Sequence, residues 1–309
     1  MLCEAERMEK SKENAEGQAL RRSLLFVPCS SEKMLAKASL TNADGIILDL
    51  EDSVSIPEKE LARSRAAEFI DEIKSTGKEA IVRINGVGSV YCVEDILMSA
   101  RAQADGIMLP KADVRSTIAV DVLLEAEEIR QGLKKDTIKL IPLVETANGL
   151  INAFQTFGVT KRINAAILGM EDLSKELGVQ RTKNGTEAAY PRNVLVCAAK
   201  ACGIDIIDTP YTDINDIAGL EQDTFTALQT GFTGKACIHP KHAETINRIF
   251  SPSEEELASA RKIIEAYTIA IANGQGACTV DGKMIDVPIV ERAERILKKS
   301  ILINNGHRE

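Results

Sequence analysis

Short apolar runs alternate with longer mixed segments along the chain. Eight runs are rich in aliphatic and β-branched residues: 23–28, 45–51, 80–85, 106–111, 139–145, 165–172, 204–210 and 235–240. The segments between them are long enough for amphipathic helices, which is typical of repeated βα units in a parallel sheet. Residues 58–74 form one such segment, with four apolar side chains predicted near one face: Leu61, Ala62, Phe69 and Ile73. Residues 114–133 form another.

Eight successive βα units predict closure into a (β/α)8 TIM barrel spanning residues 21–250. The alternative is an open, doubly wound sheet. Such sheets usually carry a Gly-rich nucleotide turn after the first strand, but the residues at that point, 28–31, read PCSS instead of G-x-G-x-x-G. The pattern therefore favours a closed barrel within an α/β fold.

The chain continues past the eighth predicted strand. Ser253, followed by three glutamates, is a helix start signal, and we predict a helix to about residue 272. Residues 277–286 predict a hairpin turning at Asp281 and Gly282, and Pro288 begins a last helix. Residues 251–309 are thus expected to form a C-terminal helix-hairpin-helix extension. Residues 1–20 are expected to be a flexible N-terminal segment.

Composition excludes several partners. The 46 acidic and 38 basic residues give a net charge of -8, and the basic residues are scattered. Nucleic acid and anionic membrane are therefore not expected as partners. The seven cysteines include no C-x-x-C pair, and no run approaches ~18 apolar residues. We therefore expect a soluble cytoplasmic protein without disulfides, zinc knuckles or membrane spans.

Polar residues close most of the predicted strands, where a barrel of this kind carries its active site. They are Asp49, Glu51, Asp52, Arg83, Asn85, Lys111, Glu145, Glu171, Asp172, Asp208 and His239. Converging carboxylates repel one another unless a cation lies between them. Oxygen ligands without clustered His or Cys favour Mg²⁺ or Mn²⁺. We predict Glu145 and Asp172 as its ligands, the alternative being that these acids cap helices or pair with arginine.

Further candidates near the strand ends are an arginine, a histidine and two cysteines. The Arg83 guanidinium is expected to face the barrel mouth, where it can bind a substrate carboxylate through two hydrogen bonds or pair with Asp49 or Glu51. His239 could act as a base, but a role in holding its loop is favoured. Cys29 and Cys237 have no evident activating partner and are not expected to be nucleophiles.

Nine segments in order closely resemble the citrate lyase beta-chain-like enzymes, a family of the phosphoenolpyruvate/pyruvate aldolase superfamily that includes citramalyl-CoA and malyl-CoA lyases. The segments are RRSLLFVP (21–28), DGIILDLEDSV (44–54), VRING (82–86), GIMLPK (106–111), VETANG (144–149), LGMEDL (168–173), GKACIHP (234–240), FSPSEEE (250–256) and VDGKMIDVP (280–288). The resemblance covers residues 21–299.

The resemblance implies roles for individual residues. Glu145 and Asp172 resemble the metal ligands of the family, and Arg83 the residue that binds the keto-acid end of the substrate. The residues implied to contact coenzyme A, as part of the substrate, are Phe26, Lys33, Lys37 and the backbone at Ala236 and Cys237. Asp286 resembles a catalytic acid that the family donates from the C-terminal tail of an adjacent subunit.

The function implied is Mg²⁺-dependent cleavage of a 3-hydroxyacyl thioester of the citryl-, citramalyl- or malyl-CoA type into acetyl-CoA and a 2-oxo acid. Asp286 would protonate the enolate, and the assembly would be a homotrimer or hexamer. Two alternatives stay open: a pyruvate-type aldolase acting on free 4-hydroxy-2-keto acids, and the beta subunit of a citrate lyase complex acting on an acyl carrier protein thioester. Cys29 replaces the usual family Gly and leaves the acyl carrier open.

Overall fold

The barrel predicted from the sequence is present. The structure is a computed structural model that describes residues 19–305. The eight barrel strands are β1 (Ser23–Pro28), β2 (Gly45–Asp49), β3 (Glu79–Arg83), β4 (Gly106–Leu109), β5 (Lys139–Val144), β6 (Ala165–Leu168), β7 (Asp205–Asp208) and β8 (Gly234–Cys237). Each strand pairs in parallel with the next, and β1 pairs with β8 to close the barrel.

Helices follow the strands in the order expected of βα units. They are α1 (Glu32–Ala38), α2 (Lys59–Ser75), α3 (Cys92–Arg101), α4 (Val114–Gln131), α5 (Ala147–Ile151), α6 (Ala153–Phe157), α7 (Met170–Leu177), α8 (Ala189–Cys202), α9 (Ile217–Thr230) and α10 (Pro240–Phe250). None of the described helices is long and apolar enough to cross a membrane.

Alternate residues of each strand pack on opposite sides of the barrel wall. In β2, Ile46 and Leu48 join the apolar layer between strands and helices, whereas Ile47 points into the barrel. Ile47 packs there with Ile81 and Ile141 from other strands. The interior is therefore a filled core, so ligand binding is confined to the ends of the barrel.

Several predicted strands end earlier in the structure, among them the second at Asp49 and the eighth at Cys237. Two further differences concern the face of α2 and the sixth strand. On α2 the buried apolar residues are Ala62, Ala66, Ile70 and Ile73, while Leu61 is 51% exposed. The sixth strand ends at Leu168 instead of continuing to residue 172, because the chain turns at Gly169 and begins α7 at Met170. Asp172 consequently lies in the first turn of a helix and not at a strand end.

Residues after the barrel form a second compact unit that begins at Ser251. It contains α11 (Glu254–Ala272), an antiparallel hairpin of β9 (Cys278–Val280) and β10 (Lys283–Ile285), and α12 (Val287–Asn305). Ser253 and Glu256 form the capping box predicted from the sequence. Asp281 and Gly282 make the turn with positive φ angles of 49° and 75°. The predicted N-terminal segment falls outside the described residues apart from Ala19 and Leu20.

Candidate active site

A cavity of about 830 Å³ lies at the carboxyl ends of the barrel strands. Its lining comes from the ends of several strands and the loops that follow them, including Phe26, Arg83, Glu145, Asp172 and His239. This volume suits a small organic ligand. The cavity therefore brings together residues that are distant in the sequence at the end of the barrel where chemistry is expected.

Three carboxylates and one ammonium group meet at this end of the barrel. Lys111 Nζ lies 2.9 Å from Asp172 Oδ2, 3.5 Å from Glu51 Oε1 and 3.8 Å from Glu145 Oε1. Glu51 and Glu145 are largely buried, whereas the Asp172 side chain is 34% exposed. We call Glu51, Glu145 and Asp172 the carboxylate cluster. Both predicted metal ligands, Glu145 and Asp172, therefore face the same cation, the Lys111 ammonium group.

The backbone fixes two members of the cluster. A Cβ atom at position 169 would lie 2.7 Å from Glu145 Cβ, so glycine is needed where α7 begins beside Glu145. The Thr209 hydroxyl accepts a hydrogen bond of 3.2 Å from the main-chain N–H of Met170, the first residue of α7. This bond from the loop after β7 holds the start of the helix that carries Asp172.

The electrostatics of the cluster favour a bound cation. Burial, followed by the nearby Glu51 carboxylate, raises the pKa of Glu145 to about 7. Burial also raises the pKa of Glu51, against the lowering effect of Arg83. Glu51 Oε2 is buried and accepts no hydrogen bond from the described residues, although the Arg83 guanidinium lies 3.2 Å away. Each of these features reflects negative charge that is incompletely compensated in a poorly solvated place.

The arrangement fits a hard divalent ion that takes some of its ligands from outside the protein. Within residues 19–305, no group of three or more His, Cys, Asp or Glu side chains is arranged to hold an ion by itself. Mg²⁺ usually binds through one or two carboxylates and completes its coordination with water and substrate oxygens. Glu145 and Asp172 could supply those two carboxylates, while a zinc site built from protein ligands alone does not fit.

Arg83 makes the ion pair that the sequence left as an alternative. Its Nε and Nη2 atoms donate to Asp49 Oδ1 and Oδ2 at 2.7 and 2.6 Å, and Nη1 lies 3.2 Å from Glu51 Oε2. Burial alone would raise the pKa of Asp49, but the hydrogen bond from Arg83 lowers it. The guanidinium carbon also lies 5.1 Å from the centre of the Phe26 ring. Arg83 thus faces the cavity with two of its donors already engaged.

Replacing Arg83 with lysine is expected to lower kcat/KM at least ~30-fold, equivalent to ~2 kcal/mol of transition-state binding, because an ammonium group cannot reproduce the planar fork. Steady-state kinetics of Arg83→Lys test this. Arg63→Lys is a matched control, since Arg63 pairs with Asp95 outside the cavity lining. An Arg83→Lys enzyme with wild-type kcat/KM would assign Arg83 a structural role only.

The residues implied to bind coenzyme A divide into two groups. Phe26, Lys33 and Lys37 line the cavity, and the two lysines are exposed on α1. The described cavity lining does not include Ala236 or Cys237. Ala236 packs inside the barrel, and Cys237 is buried in the layer between strands and helices, where burial raises the pKa of its thiol to about 12. A role for their backbone stays a prediction.

His239 and the two discounted cysteines lack the features of catalytic groups. His239 lines the cavity, and its Nδ1 atom accepts a hydrogen bond from the main-chain N–H of Lys241, which fits a loop-holding role. Cys29 is buried, and burial followed by the negative charge of Asp49 raises the pKa of its thiol. Neither thiol is therefore in the ionised form that a nucleophile needs.

Asp286, the predicted catalytic acid, belongs to the second unit. It directly follows β10, and its main-chain carbonyl accepts hydrogen bonds from Ile289 and Val290 at the start of α12. The side chain is half-buried, and its apolar neighbours Met284 and Val287 are exposed. The structure thus fixes the backbone at Asp286, while its role in catalysis stays a prediction.

Comparison with protein families identifies the architecture. Residues 22–240 match the model of the family described as HpcH/HpaI aldolase/citrate lyase. The chain belongs to this family. Homologues of the chain named citrate lyase subunit beta and citramalyl-CoA lyase are carbon–carbon lyases, as the sequence resemblance implied. The matched range covers every barrel strand and the whole cavity lining.

Individual relatives extend the similarity into the second unit. Citrate lyase subunit beta of Leuconostoc mesenteroides subsp. cremoris is 34% identical over 291 residues, covering 94% of this chain and 95% of the relative. Human mitochondrial citramalyl-CoA lyase is 33% identical, covering 89% and 84%. The crystal structure of protein CitE from Mycobacterium tuberculosis in complex with magnesium, acetoacetate and coenzyme A has a TM-score of 0.73 at 29% identity, covering 91% and 98%.

Three residues of the site were predicted only as polar residues at strand ends, with no role in binding metal or substrate. Lys111 and Glu51 complete the cluster around Glu145 and Asp172, and Asp49 orients Arg83. Their charge was visible in the sequence. The pairing of Arg83 with Asp49 was one alternative drawn from the sequence. The contacts of Lys111 with Glu145 and Glu51 were not foreseen, because these pairs are separated by 34 or more residues.

Proposed function

We propose that this chain is a Mg²⁺-dependent lyase that cleaves a 3-hydroxyacyl thioester of the citryl-, citramalyl- or malyl-CoA type into acetyl-CoA and a 2-oxo acid. The observation that carries the proposal is the convergence of Glu51, Glu145 and Asp172 on one cation beside the cavity. Support also comes from relatives named citrate lyase subunit beta and citramalyl-CoA lyase, and from the magnesium and coenzyme A named for the similar CitE complex.

Glu145 and Asp172 would hold the ion. A bound Mg²⁺ supplies Lewis-acid polarisation of substrate oxygens and stabilises negative charge that develops on them. Gly169 and the Thr209 hydrogen bond keep the two carboxylates near each other. Preorganised ligands of this kind lower the cost of reorganisation when substrate binds.

Arg83, Phe26 and the α1 lysines would orient the substrate. Arg83 is held by Asp49 through Nε and Nη2, so its Nη1 atom, which lies 3.2 Å from Glu51 Oε2 and carries two N–H groups, is presented at a fixed place beside the cluster. A carboxylate of the 2-oxo acid portion would bind there. Lys33 and Lys37, exposed at the cavity, would pair with phosphate groups of coenzyme A.

Asp286 would protonate the enolate of the departing acetyl thioester. We propose that it acts from a neighbouring subunit of a trimer or hexamer. The support is its position on a hairpin that ends beyond the complete barrel, flanked by exposed apolar side chains at Met284 and Val287. Such side chains suit contact with another subunit, and a site shared in this way makes oligomer formation a condition for activity.

Product analysis tests the substrate assignment. Purified protein is incubated with Mg²⁺ and, separately, with citryl-, citramalyl- and malyl-CoA, and acetyl-CoA and the 2-oxo acid are measured. We expect stoichiometric formation of both products from at least one ester. Cleavage of a free 4-hydroxy-2-keto acid alone would support the aldolase alternative, and activity only on an acyl carrier protein thioester would support the citrate lyase subunit.

Metal affinity is expected to rise with pH up to about 7 and then to level off. The raised pKa of Glu145, about 7 against its usual 4.5, means that the folded metal-free protein retains this proton, which a metal must displace. Mn²⁺ affinity should therefore fall about tenfold for each pH unit below 7. Titrations followed by electron paramagnetic resonance between about pH 5.5 and 8.5 measure it.

The raised pKa of Glu145 also affects the folding stability of the metal-free protein. This stability falls as the pH rises, whereas metal affinity increases. Because the folded pKa of Glu145 is raised, its contribution to the free energy of unfolding is complete below pH 4.5 and is lost as the pH rises through about 7. Added Mg²⁺ should reverse that loss. An Mn²⁺ affinity that is flat across this range would contradict Glu145 as a ligand.

A further inference from the structure

Lys111 has two separate contacts with the same oxygen of the carboxylate cluster. Its main-chain N–H donates a hydrogen bond of 2.9 Å to Glu145 Oε1, and its ammonium group lies 3.8 Å from that atom. The residue has a φ angle of +48°, an uncommon conformation for a residue other than glycine. This conformation allows the main chain and the side chain of one residue to reach the cluster together.

We propose that Lys111 is a positioning residue of the metal site: its main chain holds Glu145, and its ammonium group is the counter-cation that a divalent ion must displace. The inference rests on the proposed function for the identity of the two metal ligands. Lys111 is thereby added to the site. Displacing its ammonium group lowers the affinity of the site for the metal.

Charge balance supports displacement. The Lys111 ammonium group lies among three carboxylates, and of these Glu51 has a second cationic neighbour, Arg83 Nη1 at 3.2 Å. Glu145 and Asp172 share the single charge of Lys111, so a doubly charged ion would compensate them better. Two cations within a few ångströms of each other in a poorly solvated site repel strongly. The ammonium and the ion therefore cannot share the position beside Asp172 at low cost.

The Lys111 side chain is able to leave while its main chain stays. The side chain is 49% exposed, so its ammonium group can move into solvent, whereas the N–H bond to Glu145 belongs to the loop after β4. Hydrogen bonds from outside the ligand set orient metal-binding groups. The Lys111 N–H would therefore continue to orient Glu145 after the ammonium group moves.

The contacts also explain why two of the three carboxylates are available to a metal. Glu51 Oε2 lies 3.2 Å from Arg83 Nη1, so Glu51 keeps a positive neighbour when Lys111 moves away. Asp172 loses the 2.9 Å contact with Lys111 Nζ, and Glu145 loses the 3.8 Å contact. Displacement of the ammonium thus frees the two predicted ligands and leaves Glu51 paired.

Mn²⁺ binding in the absence of substrate tests the inference. Lys111→Met keeps the side-chain length and the main-chain N–H but removes the competing charge. We expect its Mn²⁺ dissociation constant, measured by electron paramagnetic resonance, to fall on the order of tenfold, as expected for loss of one charge-assisted contact. Lys111→Arg keeps the charge and should stay within about twofold of wild type.

Two further variants separate this effect from others. Lys175→Met makes the same charge change at an exposed position near the end of α7 and should leave the dissociation constant unchanged. Lys111→Gln also removes the charge, so it must lower the Mn²⁺ dissociation constant as Lys111→Met does. Agreement between the two variants shows that the effect comes from the lost charge and not from the methionine side chain. The thermal midpoint of Lys111→Met should be lower than that of wild type in EDTA and should rise further on addition of Mg²⁺.

The outcomes that overturn the inference are distinct from failure of the proposed function. If wild type binds Mn²⁺ and Asp172→Ala does not, but Lys111→Met binds it equally or more weakly, the counter-cation role is wrong and the metal site stands. If wild type binds no Mn²⁺ at millimolar concentration, the metal site and this inference both fall.

Discussion

Replacing Asp172 with alanine is expected to lower thioester turnover by more than about a thousandfold, and Glu145→Ala should do the same, because either change leaves one carboxylate to hold the metal. Asp172 is 34% exposed, so its loss should leave the fold intact. The measurement is kcat with saturating Mg²⁺, accompanied by the thermal midpoint of each variant.

The matched control for Asp172 lies on the same helix. Glu176→Gln removes one negative charge from the exposed end of α7 and should retain more than half of wild-type turnover. A metal-assisted role for Asp172 would be refuted by an Asp172→Ala enzyme that turns over normally in the presence of a chelator.

Mixing inactive Asp286→Ala with inactive Asp172→Ala is expected to restore about a quarter of wild-type activity once subunits exchange. If each site combines the barrel of one subunit with Asp286 of a neighbour, random assortment gives both intact groups to about one site in four. The measurement is activity against mixing time, with subunit exchange followed independently by mass-tagged chains.

A second mixture serves as the control. Asp172→Ala mixed with Glu145→Ala should stay inactive, because both substitutions fall within one barrel and no exchange of subunits can repair a site. Recovery in neither mixture, despite demonstrated exchange, would place Asp286 in the site of its own subunit or outside catalysis.

The barrel was predictable because its signals are local. Each strand is a short aliphatic run, and the interior and exterior residues of β2 both happen to be apolar, as buried parallel strands require. Helix starts such as Ser253 with Glu256 are likewise determined by residues three positions apart. Patterns of this kind do not depend on knowing which distant residues meet.

Boundaries at the carboxyl ends of strands were harder to predict. Residues 165–172 read as one apolar run, but the sequence does not show that Gly169 is packed against Glu145 and that α7 begins immediately after it. The prediction placed Asp172 at the end of a strand, whereas the structure places it in the first turn of α7. In both cases Asp172 lies at the site. Its position depends on the Thr209 bond to Met170, a contact across 39 residues.

Electrostatic partners were the least predictable part of the site. The sequence left Arg83 with a substrate carboxylate, Asp49 or Glu51 as its partner. The structure pairs its Nε and Nη2 atoms with Asp49 and places Nη1 3.2 Å from Glu51 Oε2. Lys111 was identified only as a polar strand-end residue. Its contacts with Asp172, Glu145 and Glu51 depend on barrel closure and on a positive φ angle that no local motif announces.

The most direct test of the central claim is the anomalous diffraction of crystals grown with Mn²⁺ in place of Mg²⁺. We expect one strong anomalous peak within coordinating distance of Glu145 and Asp172, with the Lys111 ammonium displaced from Asp172. A peak at another position, or none while Lys111 stays on Asp172, would contradict it.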